Sequence, residues 1–160
     1  MKLHTTRKFN ATSEQLWPLL FHSKMDTRKP CYFLLGLPKP EECRLADGNG
    51  GVGATRECVS DKGLIRQTIL EWVPAKKLRF EMRETSIYFG PCVDTIVETF
   101  VLTPVSATET TITRTTEFTL KPGARILASL PMWIGLKSIH RYVFRNWKAL
   151  TARRPAAHEA

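Results

Sequence analysis

The chain of 160 residues has no apolar run long enough to cross a membrane. Its longest apolar-rich stretch, Ile126 to Leu136, stops at Lys137 after eleven residues, whereas a hydrocarbon core needs about 20. The opening MKLHTTRKFNATSEQ lacks the apolar centre of a secretion signal, so the expected location is cytoplasmic. Cysteine is scarce. Cys31, Cys43, Cys58 and Cys92 form no CxxC pair, and no Cys/His pair has zinc-ligand spacing, so neither a metal nor another cofactor is implied. In a reducing compartment these four read as free, mostly buried thiols. Acidic residues are missing from one segment only. Residues 1–120 hold 16 basic and 14 acidic side chains, whereas residues 121–154 hold eight basic and none acidic. The formal net charge of +9 therefore belongs to the C-terminal segment.

A content of 42% hydrophobic and 24% charged residues excludes wholesale disorder and a collagen-like chain. No repeat, low-complexity tract or long linker divides the chain, which predicts one domain over 1–153 with 154–160 as a flexible tail. Such a length buries about 68–70% of the surface of the unfolded chain, enough for a core and a cavity.

Residues 2–9 alternate as a strand, with Leu3, Thr5, Arg7 and Phe9 on one face. Asn10 or Thr12 caps a short helix over Ser13–Leu20, in which Pro18 is awkward. Residues 21–40 are apolar and proline-punctuated, as in a short helix with turns. From Pro40 onward, strands over 41–47, 52–60, 64–73 and 77–84 are separated by tight turns, the pattern of an antiparallel meander. Leu78, Phe80 and Met82 oppose Arg79, Glu81 and Arg83, and Ile112, Arg114, Thr116, Phe118 and Leu120 oppose a threonine-rich face, so both strands have one buried side. Residues 64–73 and 92–102 are apolar on both faces, and periodicity does not assign their inward side. A long helix over 124–152 follows. Leu136, Ile139, Val143, Trp147 and Leu150 form its apolar stripe, Lys137, Arg141, Arg145 and Lys148 a basic one, and Pro131 predicts a break or kink.

This element order is that of the α+β helix-grip fold: a curved antiparallel sheet around a long C-terminal helix, with short helices after the first strand. The segments Phe9-Asn10-Ala11-Thr12-Ser13-Glu14-Gln15-Leu16-Trp17, Gly51-Val52-Gly53-Ala54-Thr55-Arg56, Glu71-Trp72-Val73-Pro74-Ala75-Lys76-Lys77-Leu78 and Asn146-Trp147-Lys148-Ala149-Leu150 occur in matching order. In them the chain resembles the START/birch-pollen-allergen-like (SRPBCC) superfamily, in particular its polyketide cyclase/dehydrase-like branch. The resemblance implies a deep apolar cavity between sheet and helix that holds lipids, polyketides or other hydrophobic molecules. It supplies no universal catalytic motif.

The candidate ligand-binding residues are Phe33, Leu37, Phe80, Met82, Tyr88, Ile112, Arg114, Thr116, Phe118, Trp133, Leu136 and His140, with Leu78 beside them. They balance apolar wall against a few polar groups as ligand pockets do, although a half-buried sheet and helix need such residues in any core. Arg114 lies on an apolar face and must be paired. Its partner is either an anionic ligand group or a structural carboxylate, Glu71 or Glu98, and Arg7 and Arg56 pose the same question less sharply. His140 is either a general base or a satisfied core histidine. Tyr88 and Tyr142 have no activating neighbour in sequence. Ser86-Ile87-Tyr88-Phe89-Gly90-Pro91 forms either a cavity lid or a hairpin tip over the end of the sheet.

Three functions fit these residues. The first is binding of a hydrophobic small molecule. The second is cyclase/dehydratase chemistry on a polyketide-like or aromatic substrate through Arg114 and His140. The third is a lipid-transfer or membrane-surface module, in which the basic helix and the Tyr88-Phe89 loop meet anionic lipid. Nucleic acid is disfavoured because no reader motif or aromatic-interleaved groove accompanies the charge.

Overall fold

The computed structural model describes residues 1–152. The proposed tail and two of the eight basic residues, Arg153 and Arg154, lie outside the described residues. Eight strands, β1 (Lys2–Phe9), β2 (Ser23–Lys24), β3 (Pro40–Leu45), β4 (Thr55–Ser60), β5 (Gly63–Val73), β6 (Lys77–Thr85), β7 (Val93–Ser106) and β8 (Glu109–Leu120), form one antiparallel sheet in the order β1-β8-β7-β6-β5-β4-β3-β2. The helices α1 (Ser13–Leu16) and α2 (Cys31–Leu34) lie between β1 and β3, and α3 (Arg125–Ala152) closes the chain. This is the helix-grip arrangement that the order of elements predicts.

Thr12 starts α1 with a reciprocal cap. The Gln15 amide donates to Thr12 Oγ1 at 3.3 Å, and the Thr12 amide donates to Gln15 Oε1 at 3.0 Å. The α-helix lasts only to Leu16, because Pro18 has no amide hydrogen to continue it, and residues Trp17–Leu20 tighten into a 3-10 turn. β4 starts at Thr55 and not at residue 52, since Gly51 and Gly53 adopt positive φ in the preceding turn.

The alternating faces fall as expected: Leu78 and Phe80 on β6, and Ile112, Arg114, Thr116, Phe118 and Leu120 on β8, are all buried. On β5 and β7, whose sidedness periodicity leaves open, Gln67, Ile69, Ile96, Glu98, Phe100 and Leu102 point inward. On the outer side of β7, Val97 and Val101 pair in register with Glu117 and Thr113 of β8. Arg7 departs from its strand's alternation: it is exposed and donates to the Thr6 carbonyl at 2.9 Å.

The helix α3 lies across β1 and β8, with Leu136, Val143 and Trp147 buried and Ile139 and Leu150 half-buried against the core. The expected break at Pro131 does not occur, and the helix is continuous through it. The acceptor that Pro131 leaves unused is the carbonyl of Leu127, whose residue is exposed to solvent. No helix among the described residues is long and apolar enough to cross a membrane.

The reading of four free, mostly buried thiols is corrected. Register places Cys43 of β3 directly opposite Cys58 of β4, and the two form a disulfide with Cα atoms 4.1 Å apart. Cys31 is free and exposed, and Cys92 is free and half-buried. A separation of 15 residues contains no motif; only strand pairing brings the two sulfurs together. Alkylation of denatured, unreduced protein should modify Cys31 and Cys92 alone, with the other two reacting after reduction. Modification of all four before reduction would show the pair to be open.

Candidate functional site

Between α3 and the inner face of the sheet lies a cavity of about 410 Å³. Its wall is largely apolar, drawn from Met82 on β6, Ile96 and Phe100 on β7, and Leu136, Ile139 and Val143 on α3. Exposed Leu35, Tyr88 and Pro131 mark its rim. At Gly135 helix and rim come close: a Cβ there would stand 2.8 Å from Leu37 Cδ2.

Three charged side chains line this wall: Arg56, Glu98 and Arg114. Of the two readings of Arg114, the structure shows the ion pair with Glu98. Its Nε donates to Oε2 at 3.1 Å, and Nη2 donates to Oε1 and Oε2 at 2.6 and 2.7 Å. Both residues are buried and the guanidinium lies 5.2 Å from the Phe100 ring centre, so the pair is closed and shielded. Arg56, on β4, is equally buried but differently partnered. Its Nε donates to the Leu20 carbonyl at 3.0 Å, and Nη1 donates to Gln67 Oε1 and contacts Cys58 Sγ at 2.8 Å. The Phe80 ring centre lies 4.5 Å from the guanidinium carbon. Burial pushes the Arg56 pKa down to about 10, with Glu98 opposing and Arg114 assisting, so it remains a cation at neutral pH.

A second polar line runs behind the wall. Thr116 Oγ1 donates to Glu98 Oε1 at 3.3 Å and lies 2.8 Å from His140 Nε2, while His140 Nδ1 lies 3.0 Å from Thr5 Oγ1. Since the Thr116 hydroxyl proton goes to Glu98, Nε2 carries the imidazole proton and Nδ1 accepts from Thr5. Lys137 Nζ donates to the His4 carbonyl and to Thr5 Oγ1 at 2.8 and 3.4 Å, completing the chain. Burial first, then the charges of Arg114 and Lys137, pushes the His140 pKa far below its ordinary range, so the imidazole is neutral.

Of the candidate binding residues, Leu37, Met82, Tyr88, Arg114 and Leu136 line the cavity. Leu78, Phe80, Ile112, Thr116, Phe118 and His140 are buried but do not line it. Phe33 packs against Tyr142 with ring centres 5.0 Å apart, and Trp133 is partly exposed on α3. Periodicity separates inside from outside, but it does not say which inward residues α3 covers. The helix lies over β1 and β8, so the cavity opens toward β4–β7. Gln67, Ile96 and Phe100 were hidden because their strands are apolar on both faces. Between β6 and β7, Ile87 is buried, Tyr88 is exposed and Phe89 faces the cavity, so this segment forms part of the rim. The Tyr142 hydroxyl is engaged outside the cavity, donating to the Asp26 carbonyl at 2.9 Å.

No protein-family model and no curated protein sequence matches this chain. Solved structures do match. A protein from Mesorhizobium loti is 20% identical with a TM-score of 0.66, covering 97% of this chain and 99% of its own. A START superfamily protein from Mycobacterium smegmatis is 8% identical with a TM-score of 0.66, covering 95% and 97%. Norcoclaurine synthase from Thalictrum flavum, solved with dopamine and hydroxybenzaldehyde, is 15% identical with a TM-score of 0.62, covering 97% and 88%. At these identities the likeness is one of fold.

The neutral His140 makes stability pH-dependent in a definite direction. The unfolded chain binds a proton at this residue below about pH 6.5 and the folded chain does not, so stability falls on acidification. A decline of up to about 1.4 kcal/mol per pH unit is expected between pH 6.5 and 5. His140→Asn should flatten that part of the profile in denaturant titrations; an unchanged slope would show that another group sets it. The structure has the START-like helix-grip fold.

Proposed function

We propose that the chain binds a hydrophobic small molecule in the cavity between sheet and α3. The observation that carries this reading is the mostly apolar volume of about 410 Å³, open to solvent at its rim, within the range of about 300–1,000 Å³ usual for small-molecule sites. The cyclase/dehydratase alternative relied on His140 and Arg114. His140 is off the wall with both ring nitrogens engaged, and Arg114 is held by Glu98, so these residues favour holding a ligand over moving its protons. Filling the cavity tests the reading. Ile139→Trp should lower the affinity for the neutral probe phenylnaphthylamine by about tenfold or more while leaving the protein folded, and undiminished probe binding would place the probe elsewhere.

A second reading, docking on an anionic membrane, is favoured by the outward face of α3. Ile126, Leu130, Ile134, Arg141, Arg145 and Lys148 follow at helical spacing along one stripe, apolar first and basic after, while Lys137 on the same stripe is turned inward to the His4 carbonyl and Thr5. Ile126, Leu130 and Ile134 are largely exposed, as are Leu34 and Leu35 beside the cavity rim. An exposed apolar group bordered by cations suits a lipid surface. Leu130→Asp should abolish co-sedimentation with phosphatidylserine-containing vesicles, and wild-type binding should weaken with salt. Equal sedimentation of variant and wild type would remove this face from any membrane contact.

A further inference from the structure

The charged groups on the cavity wall do not balance. Two guanidiniums and one carboxylate face the same apolar space, and Glu98 is spent on Arg114 through both of its oxygens. Among the described residues no carboxylate lies within ion-pair distance of Arg56. Its acceptors are a backbone carbonyl, an amide oxygen and a disulfide sulfur, all neutral. A guanidinium carries five N–H donors, and these partners engage Nε and Nη1 only; Nη2 has no hydrogen-bond partner among the described residues. The residue is 5% exposed. A cation in such a site is costly until an anion meets it, and the cavity is the side from which one can arrive.

We infer that Arg56 is the receptor for the anionic head of the cavity's ligand, and that the ligand is an apolar molecule ending in a single carboxylate. This deepens the binding function proposed above and rests on it. One negative charge brings the wall to neutrality, whereas a doubly charged head would overshoot and lie close to Glu98. The remaining wall, Ile65, Met82, Ile96, Phe100 and Leu136 among it, takes only an apolar body. The Phe80 ring and the Gln67 amide hold the guanidinium in place before the ligand enters, so little rotamer freedom is lost on binding.

The test compares dodecanoate with dodecanol, which share a tail and differ in charge, on wild-type protein and on Arg56→Met. Each is titrated by displacement of phenylnaphthylamine at neutral pH. Wild type should prefer the carboxylate by about tenfold or more, the size expected of a charge-assisted hydrogen bond. Arg56→Met should remove that preference while dodecanol affinity stays within about threefold, consistent with loss of a head-group contact only. Equal affinity of wild type for both molecules, or an unchanged preference in the variant, overturns the assignment and leaves the apolar cavity standing. Binding of neither molecule overturns the cavity reading itself. If the variant does not fold, a crystal structure of wild type with dodecanoate decides: a carboxylate on Arg56 supports the assignment, and one placed elsewhere ends it.

Discussion

The Arg114–Glu98 pair joins β8 to β7 under α3, and its demands propagate through the molecule. A carboxylate and a guanidinium removed from water must each find the other, and here Thr116 adds a fourth hydrogen bond to Glu98. Thr116 in turn fixes the tautomer of His140, which reaches Thr5 on β1, where Lys137 from the next turn of α3 is also bonded. One directional chain of hydrogen bonds therefore ties the helix to three adjacent strands. The rotation of α3 about its axis is set by this chain as well as by apolar packing, because a slipped helix would strand His140 and Thr5 without partners in a buried site.

That constraint shapes the cavity. With α3 anchored over β1 and β8, it covers Thr5, Ile112, Thr116 and Phe118 on those strands and leaves Arg114 and Leu120 of β8, with β4–β7, to face open space. The eight-stranded sheet spans more width than one helix fills, and the apolar side chains left over become wall. The same anchoring consumes the only carboxylate that the described residues place on that wall. Arg56 is thereby left as a cation facing an apolar volume, supported by neutral dipoles and an aromatic ring. The charge proposed to give the site its chemistry is thus the one with no carboxylate in direct contact among the described residues.

The fold was legible because its determinants are local. Alternation over 78–83 and 110–120, a capping residue at Asn10 or Thr12, and the stripe Leu136–Val143–Trp147 each report their own element, and their order specifies the architecture. The site was only partly legible. Arg114 stands out as a charge on an apolar face, but whether its partner is a ligand or Glu98 depends on the register between β7 and β8, which no local pattern encodes. His140, Phe80 and Phe118 were correctly buried and yet not cavity wall, since burial by a helix and burial around a void leave the same periodicity. Cys43 and Cys58 show the limit most plainly. Each lies in an ordinary strand, and only the β3–β4 pairing places them face to face. Pro131 shows the reverse: of the break or kink that a local rule predicts, the break does not occur, because the carbonyl left without a donor lies in an exposed turn.

The central claim is that an apolar cavity with one uncompensated positive charge holds a complementary molecule. Native mass spectrometry of the purified chain, followed by solvent extraction and identification of what is released, tests it most directly. The account predicts one molecule per chain, apolar in body and carrying a single carboxylate. A stoichiometric neutral molecule would contradict the role of Arg56, and a ligand-free chain that takes up no apolar probe would contradict the cavity as a binding site.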